Sequence, residues 1–156
     1  MNNKQSEKIH GMIDVSAKPV TRRVAKAAAR IVLGKKAFSA LMRGESPKGD
    51  VFETARIAGI MAAKSTPAII PMCHPLEINQ VKVAFTADAT AAAVDIVAEV
   101  VCRGRTGVEM EALTAACAAA LTIYDMMKWA DHLMAISDVK LLYKSGGKRG
   151  TFERRG

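Results

Sequence analysis

An α+β fold, an antiparallel sheet covered by helices with an extra helical segment, is what the sequence predicts, and three observations carry that reading. Val81, Val83 and Phe85 alternate, and so do Val94, Ile96, Ala98 and Val100, so two period-two runs flank a turn near "ADATA" and make a β-hairpin. In "DVFETARIAGIMAAK", Asp50 can serve as N-cap with Glu53 three residues later, which predicts a helix over residues 50–65, ending before Pro67. After the hairpin, Met110, Leu113, Cys117, Leu121 and Tyr124 form an apolar stripe at helical spacing, preceded by Thr106 and Glu109 at the spacing of a capping box. A long helix reaching toward Asp131 follows from that pattern.

The other elements complete the arrangement. "MAISDVKLLY" reads as a last strand. "PVTRRVAKAAARIVL" stays open, because Val20, Val24, Ala27 and Ile31 follow a helical spacing while its β-branched ends and period-two pieces allow a strand. Helix, strand, strand, helix, strand, with an earlier strand in the open segment, packs naturally as a ferredoxin-like sheet. Residues 1–10 read as a disordered lead-in, 11–150 as one domain, and the glycine- and charge-rich 151–156 as a C-terminal tail.

A chain of 156 residues can bury a core without staples. Its three cysteines, Cys73, Cys102 and Cys117, are odd in number and form no C-x-x-C pair, which fits a reducing, cytoplasmic compartment better than a disulfide framework or zinc ribbon. No apolar run is long enough for a membrane span and the first residues lack the apolar core of a signal peptide, so a soluble protein with no membrane partner is expected. The net charge of +8 fits nucleic acid, an anionic surface or a polyphosphate alike. With 4% aromatic residues, a base-stacking platform is missing, which lowers the nucleic-acid reading.

Several residues carry candidate chemistry. Lys48 stands on the loop before a helix N-terminus, where free N–H groups and the helix dipole favour an anion. In "PMCHPLE", Pro71 and Pro75 frame Cys73 and His74, a rigid setting for a presented imidazole; His10 and His132 have no metal-ligand spacing to them. On the long helix, Glu111 and Asp125 differ by roughly 40° about the axis and lie about 21 Å apart along it, too far for a dyad acting on one atom. Asp125 and Lys128 are close enough to tune each other for acid–base work, and Lys128 continues the stripe from Tyr124, so its stem should be partly buried. "KSGGKRG" places Lys144 before two glycines that allow close backbone approach to an anion, although it is no Walker loop.

Six segments, "MIDVSAKPVTRR", "KGDVFETARIAGI", "IPMCHPLE", "GRTGVEMEALTAA", "LTIYDMMK" and "LLYKSGGK", in this order and spacing, resemble the molybdenum cofactor biosynthesis protein C family, the cyclic pyranopterin monophosphate synthases. The resemblance covers residues 12 to about 150. It implies conversion of a cyclic 7,8-dihydroguanosine triphosphate intermediate to cyclic pyranopterin monophosphate with release of pyrophosphate, on a ferredoxin-like fold. It also implies a hexamer, a trimer of dimers, with sites at the dimer interface, and turns the open segment 20–32 into a strand. No redox cofactor is implied and none is required; a divalent cation such as magnesium can accompany the triphosphate.

By the same resemblance Lys48 and Lys128 match essential lysines and Asp125 the active-site carboxylate, while Arg23, His74, Glu109, Glu111 and Lys144 match further pocket positions. Met72, Cys73 and Met110 match substrate contacts. The sequence departs from the family's pattern at Met72, where leucine is common, and at Arg149, where a small residue is usual. A triphosphate explains a basic pocket of Lys48, Lys144 and Arg23, and ring opening and reclosure call for the proton donors and acceptors that Asp125 and Lys128 supply. Two other classes compete: a basic RNA-binding ferredoxin-like module and a non-catalytic nucleotide-binding regulator.

Overall fold

The computed structural model describes residues 10–155. Its elements run β1 (Thr21–Val32), α1 (Lys35–Met42), α2 (Val51–Lys64), α3 (Thr66–Ile69), β2 (Ile78–Asp88), β3 (Ala93–Gly104), α4 (Glu109–Met127), β4 (Ala135–Ser145) and β5 (Phe152–Glu153). The sheet is antiparallel throughout, in the order β2-β3-β1-β4-β5. Helices α2 and α4 pack on each other and on one face of it, which is the ferredoxin-like α+β arrangement. Of the lead-in expected over 1–10, only His10 falls within the described residues.

Segment 21–32 is the central strand, despite its helical spacing. A separation of four is even, so it is as compatible with a strand as with a helix; Val24 ends on one face, Ala27 and Ile31 on the other. Ala25, Ala27, Ala29 and Ile31 are buried under the helices, while Lys26 and Arg30 pair with Glu99, Asp88 and Asp95 on the opposite face. The hairpin forms as read, with Val83↔Ala98 and Phe85↔Ile96 in register. Asp50 caps α2 by accepting from the Glu53 N–H at 2.9 Å. The last residues are not all loop: Phe152 and Glu153 pair with Lys144 and Tyr143 of β4.

Two details of α4 differ from the sequence reading. Its first residue is Glu109 and no side chain caps it, so the Thr106–Glu109 box does not form; the Glu109 carboxylate instead accepts from Lys144 at 2.9 Å. Nor does the Met110, Leu113, Cys117, Leu121, Tyr124 stripe face the core. Ala112, Ala115, Ala116, Ala119, Ala120, Ile123, Met126 and Met127 do, while Met110 and Leu121 are exposed and Leu113, Cys117 and Tyr124 sit half-buried at the flank. The sheet beneath is alanine-rich as well, with Ala25, Ala27, Ala29 and Ala98 fully buried, so small residues on both layers let helix and sheet approach closely. Gly59 of α2 serves the same purpose, since a Cβ there would lie 3.0 Å from the Ala115 carbonyl oxygen and from Val83 Cγ2.

Candidate functional site

At the C-terminal end of α4, Asp125 accepts from two lysines: Lys48 Nζ on Oδ2 at 2.6 Å and Lys128 Nζ on Oδ1 at 2.8 Å. Lys48 reaches it because its turn is stitched to the helix. Ser46, buried, donates its hydroxyl to the Met126 carbonyl at 3.0 Å and accepts from the Lys48 N–H at 3.3 Å. The three charged side chains are about half exposed, so the cluster is open to a ligand; the Lys128 stem is not buried as its place after Tyr124 had indicated. The hydrogen bond from Lys128, then that from Lys48, holds the Asp125 carboxyl at about 2, and Asp125 in turn raises Lys128. At neutral pH Asp125 is therefore a carboxylate and Lys128 an ammonium, and the cluster carries a surplus positive charge.

At the other end of α4, a pocket of about 240 Å³ is lined by Met72, Cys73, His74, Thr106, Glu109, Met110 and Glu111, among others. Glu111 is 3% exposed. Burial raises its pKa, its own backbone N–H opposes, and the neighbouring Glu109 adds to the rise. Burial acts on Glu109 too, but the Lys144 hydrogen bond and the charges of Lys144 and Arg23 outweigh it and leave that carboxyl lowered. Two glutamates two residues apart are thus tuned in opposite directions, one toward donating a proton and one toward staying ionised. Burial and the Glu111 charge push the Cys73 thiol up, a direction that disfavours the thiolate, and Cys73 lines the pocket.

Glu109 is a shared wall. On its other side lies a basic cleft of about 450 Å³, lined by Lys18, Arg23, Arg105, Lys144, Lys148 and Arg149 with Gly146 and Gly147. Arg23 is buried, and its Nε and Nη2 donate to the carbonyls of Gly104 at 3.4 Å and Arg105 at 3.3 Å. The two glycines are dictated by that neighbour. Gly146 (φ 100°) and Gly147 (φ 75°) both adopt the left-handed region, and a Cβ would collide with the Arg22 carbonyl oxygen at the first and the Arg23 guanidinium at the second.

The structure therefore gathers Lys48, Asp125 and Lys128 in one cluster, and Arg23, Met72, Cys73, His74, Glu109, Met110, Glu111 and Lys144 in another. It does not join them within the chain: sixteen residues of α4 separate Glu109 from Asp125, about 24 Å of helix. Nor do Glu111 and Asp125 share an environment, since their angular difference spans the edge of the buried face and leaves the first buried and the second half exposed. Sequence reading missed Ser46, Lys18, Arg105 and Lys148; nothing in a lone serine signals its bond to a helix 80 residues away. Among the described residues no three His, Cys, Asp or Glu side chains converge as a metal-binding group, and no helix is long and apolar enough to cross a membrane.

Comparison with known proteins gives the setting for this geometry. The model of the MoaC family matches residues 12–147. The chain is 50% identical over 145 residues to a cyclic pyranopterin monophosphate synthase from Pelotomaculum thermopropionicum, covering 93% of this chain and 85% of the relative. Similar proteins of the same description occur in Chloroflexus aurantiacus, 50% identical over 92% of this chain and 88% of the relative, and in Desulforapulum autotrophicum, 53% identical over 90% and 86%.

Proposed function

We infer the function from the premise that the chain belongs to the MoaC family, whose model matches residues 12–147. The protein acts as a cyclic pyranopterin monophosphate synthase in molybdenum cofactor biosynthesis, the activity for which its relatives are named. It converts the cyclic dihydroguanosine triphosphate to cyclic pyranopterin monophosphate and pyrophosphate. The geometric observation that supports this chemistry best is the cleft of basic side chains that shares Thr106, Gly107 and Glu109 with a pocket holding the buried Glu111 carboxyl.

A triphosphate needs several cations and backbone at close range, and Arg23, Lys144 and the Gly146–Gly147 turn supply them. The purine-derived ring then falls to the pocket of Met72, Cys73, His74, Met110 and Glu111. For the cyclisation, a sugar hydroxyl attacks the α-phosphorus, the bond to the β-phosphate breaks, and pyrophosphate leaves into the basic cleft. The hydroxyl proton needs an acceptor and the opening ring needs donors; Asp125 as carboxylate and Lys128 as ammonium fill those roles, with Lys48 compensating charge. A divalent cation, where one takes part, arrives on the triphosphate.

Because the two clusters occupy opposite ends of one helix, we assign the complete site to two copies of the chain, each contributing one end, as in a trimer of dimers. Lys48 and Asp125 bond within a chain, so they belong to the same half. The informative mixture therefore pairs Lys144→Ala with Asp125→Ala protein: each alone is inactive, and random subunit exchange restores roughly a quarter of the sites if they are shared. No recovery despite exchange would put the site within one chain. For the activity itself, pyrophosphate release from the purified intermediate should be lost in Lys128→Ala; unchanged turnover would remove Lys128 from the mechanism. What weighs against RNA binding is the open sheet face, where Lys26 and Arg30 are already paired with acids.

A further inference from the structure

Arg105 lies between β3 and α4, and nothing in the reaction as assigned so far requires it. Its Nη1 donates to the carbonyls of Ser16 at 2.7 Å and Lys18 at 2.5 Å, far back in the sequence. The segment it grips has a defined shape of its own. Asp14 Oδ1 accepts from the Ser16 N–H at 2.8 Å and from its hydroxyl, and the Lys18 N–H returns to the Val15 carbonyl at 3.0 Å. Ile13, Lys18 and Pro19 from this strap line the basic cleft together with Gly146, Gly147, Lys148 and Arg149. The Arg105 carbonyl is in turn held by buried Arg23, so strap, loop and strand are linked by one run of hydrogen bonds along the cleft.

Every acceptor that Arg105 and Arg23 use in that run is a carbonyl. Among the described residues no acidic side chain lies within 4.0 Å of the charged group of Lys18, Arg23 or Arg105, unlike Arg30, Arg43 or Lys144. The contacts fix positions without tying these cations to an acidic side chain, which is what an anion site gains from preorganisation. We propose that Arg105 is a positioning residue: by bonding the Ser16 and Lys18 carbonyls it holds the strap in place, so that the Lys18 ammonium faces the cleft and serves as a further polyphosphate-binding group. The inference rests on the assignment of that cleft to the triphosphate.

Inorganic tripolyphosphate, titrated calorimetrically into the full chain, tests it. Lys18→Met and Arg105→Met should each weaken binding about tenfold, the equivalent of one charge-assisted hydrogen bond. The double variant should bind no more weakly than Lys18→Met alone, because Arg105 acts through Lys18. Arg105→Lys should restore affinity, since both carbonyls converge on a single nitrogen that an ammonium can replace. Amide exchange at Lys18 should quicken in Arg105→Met and return in Arg105→Lys. Losses that multiply in the double variant would overturn the proposal, as would undiminished binding or unchanged exchange in Arg105→Met. Failure of the wild-type chain to bind tripolyphosphate would remove this anion site, while pyrophosphate release from the intermediate would still judge the enzymatic assignment separately.

Discussion

Three glycines near the C-terminus, Gly146, Gly147 and Gly150, share a positive φ of 100°, 75° and 65°, but a methyl group would meet different surroundings at each. At Gly150 nothing lies within 4 Å, so Gly150→Ala carries only the backbone cost of an L-residue in the left-handed region, about 1 kcal/mol. At Gly147 the obstacle is the far end of a side chain, the Arg23 guanidinium, which can swing away. Gly147→Ala should therefore cost the same backbone strain plus about 1 kcal/mol for the long Arg23 bonds to Gly104 and Arg105 that it releases, and should disturb the basic cleft. At Gly146 the obstacle is backbone, the Arg22 carbonyl at the head of β1, beside the Val24↔Ser145 pairing. Moving it sacrifices one or two ladder hydrogen bonds at about 1 kcal/mol each, so Gly146→Ala should lose roughly 3 kcal/mol in all. Urea unfolding measures the three stabilities, and pyrophosphate release measures the cleft. Equal stability for the Gly146 and Gly150 variants, or full activity in Gly147→Ala, would refute the steric reasoning.

Three further outcomes follow from the site. Glu111 has a raised folded pKa, so wild-type stability should fall as pH rises from its unfolded value near 4.5 through the folded one; Glu111→Gln should match wild type at pH 4 and exceed it at pH 8, and parallel stability curves would contradict this. Asp125, held down to about 2, contributes stability above its ordinary 3.8 that disappears as pH falls through about 2; its carboxyl carbon in NMR should titrate near 2 and move back toward 3.8 in Lys128→Met. Ser46→Ala strands the Met126 carbonyl and frees the Lys48 turn, costing about 1 kcal/mol and lowering kcat; unaltered turnover would detach that turn from catalysis.

The hairpin, the Asp50 cap and the last strand were legible because each rests on local pattern: period two, a capping carboxylate, a β-branched run. The central strand was legible only through the family resemblance, because its residues alone fit both periods and its inner face is largely alanine, which signals neither. The same blindness misplaced the core face of α4, where large apolar residues on the flank outweighed the alanines that pack against the sheet. At the site, the lysine and carboxylate positions are expected from motif resemblance, and the geometry shows only where each lies, divided between two ends of one helix. Ser46 and Arg105 were invisible for a common reason: each acts through a backbone carbonyl more than 75 residues away, and carbonyls leave no trace in a sequence.

The alanine faces of α4 and the sheet have a mechanical consequence. Along the alanine stretch from Ala112 to Ala120 there is little side chain between the layers to absorb a shift, and added side-chain bulk there should displace the helix, at a cost of about 1–3 kcal/mol. A rod anchored this way transmits displacement to both tips at once. A substitution as remote as Ala116→Val, near the middle of α4, should then disturb the Asp125 cluster and the Glu109 wall together, and a drift in the protein's catalytic chemistry and in its grip on anions would trace to the same fulcrum.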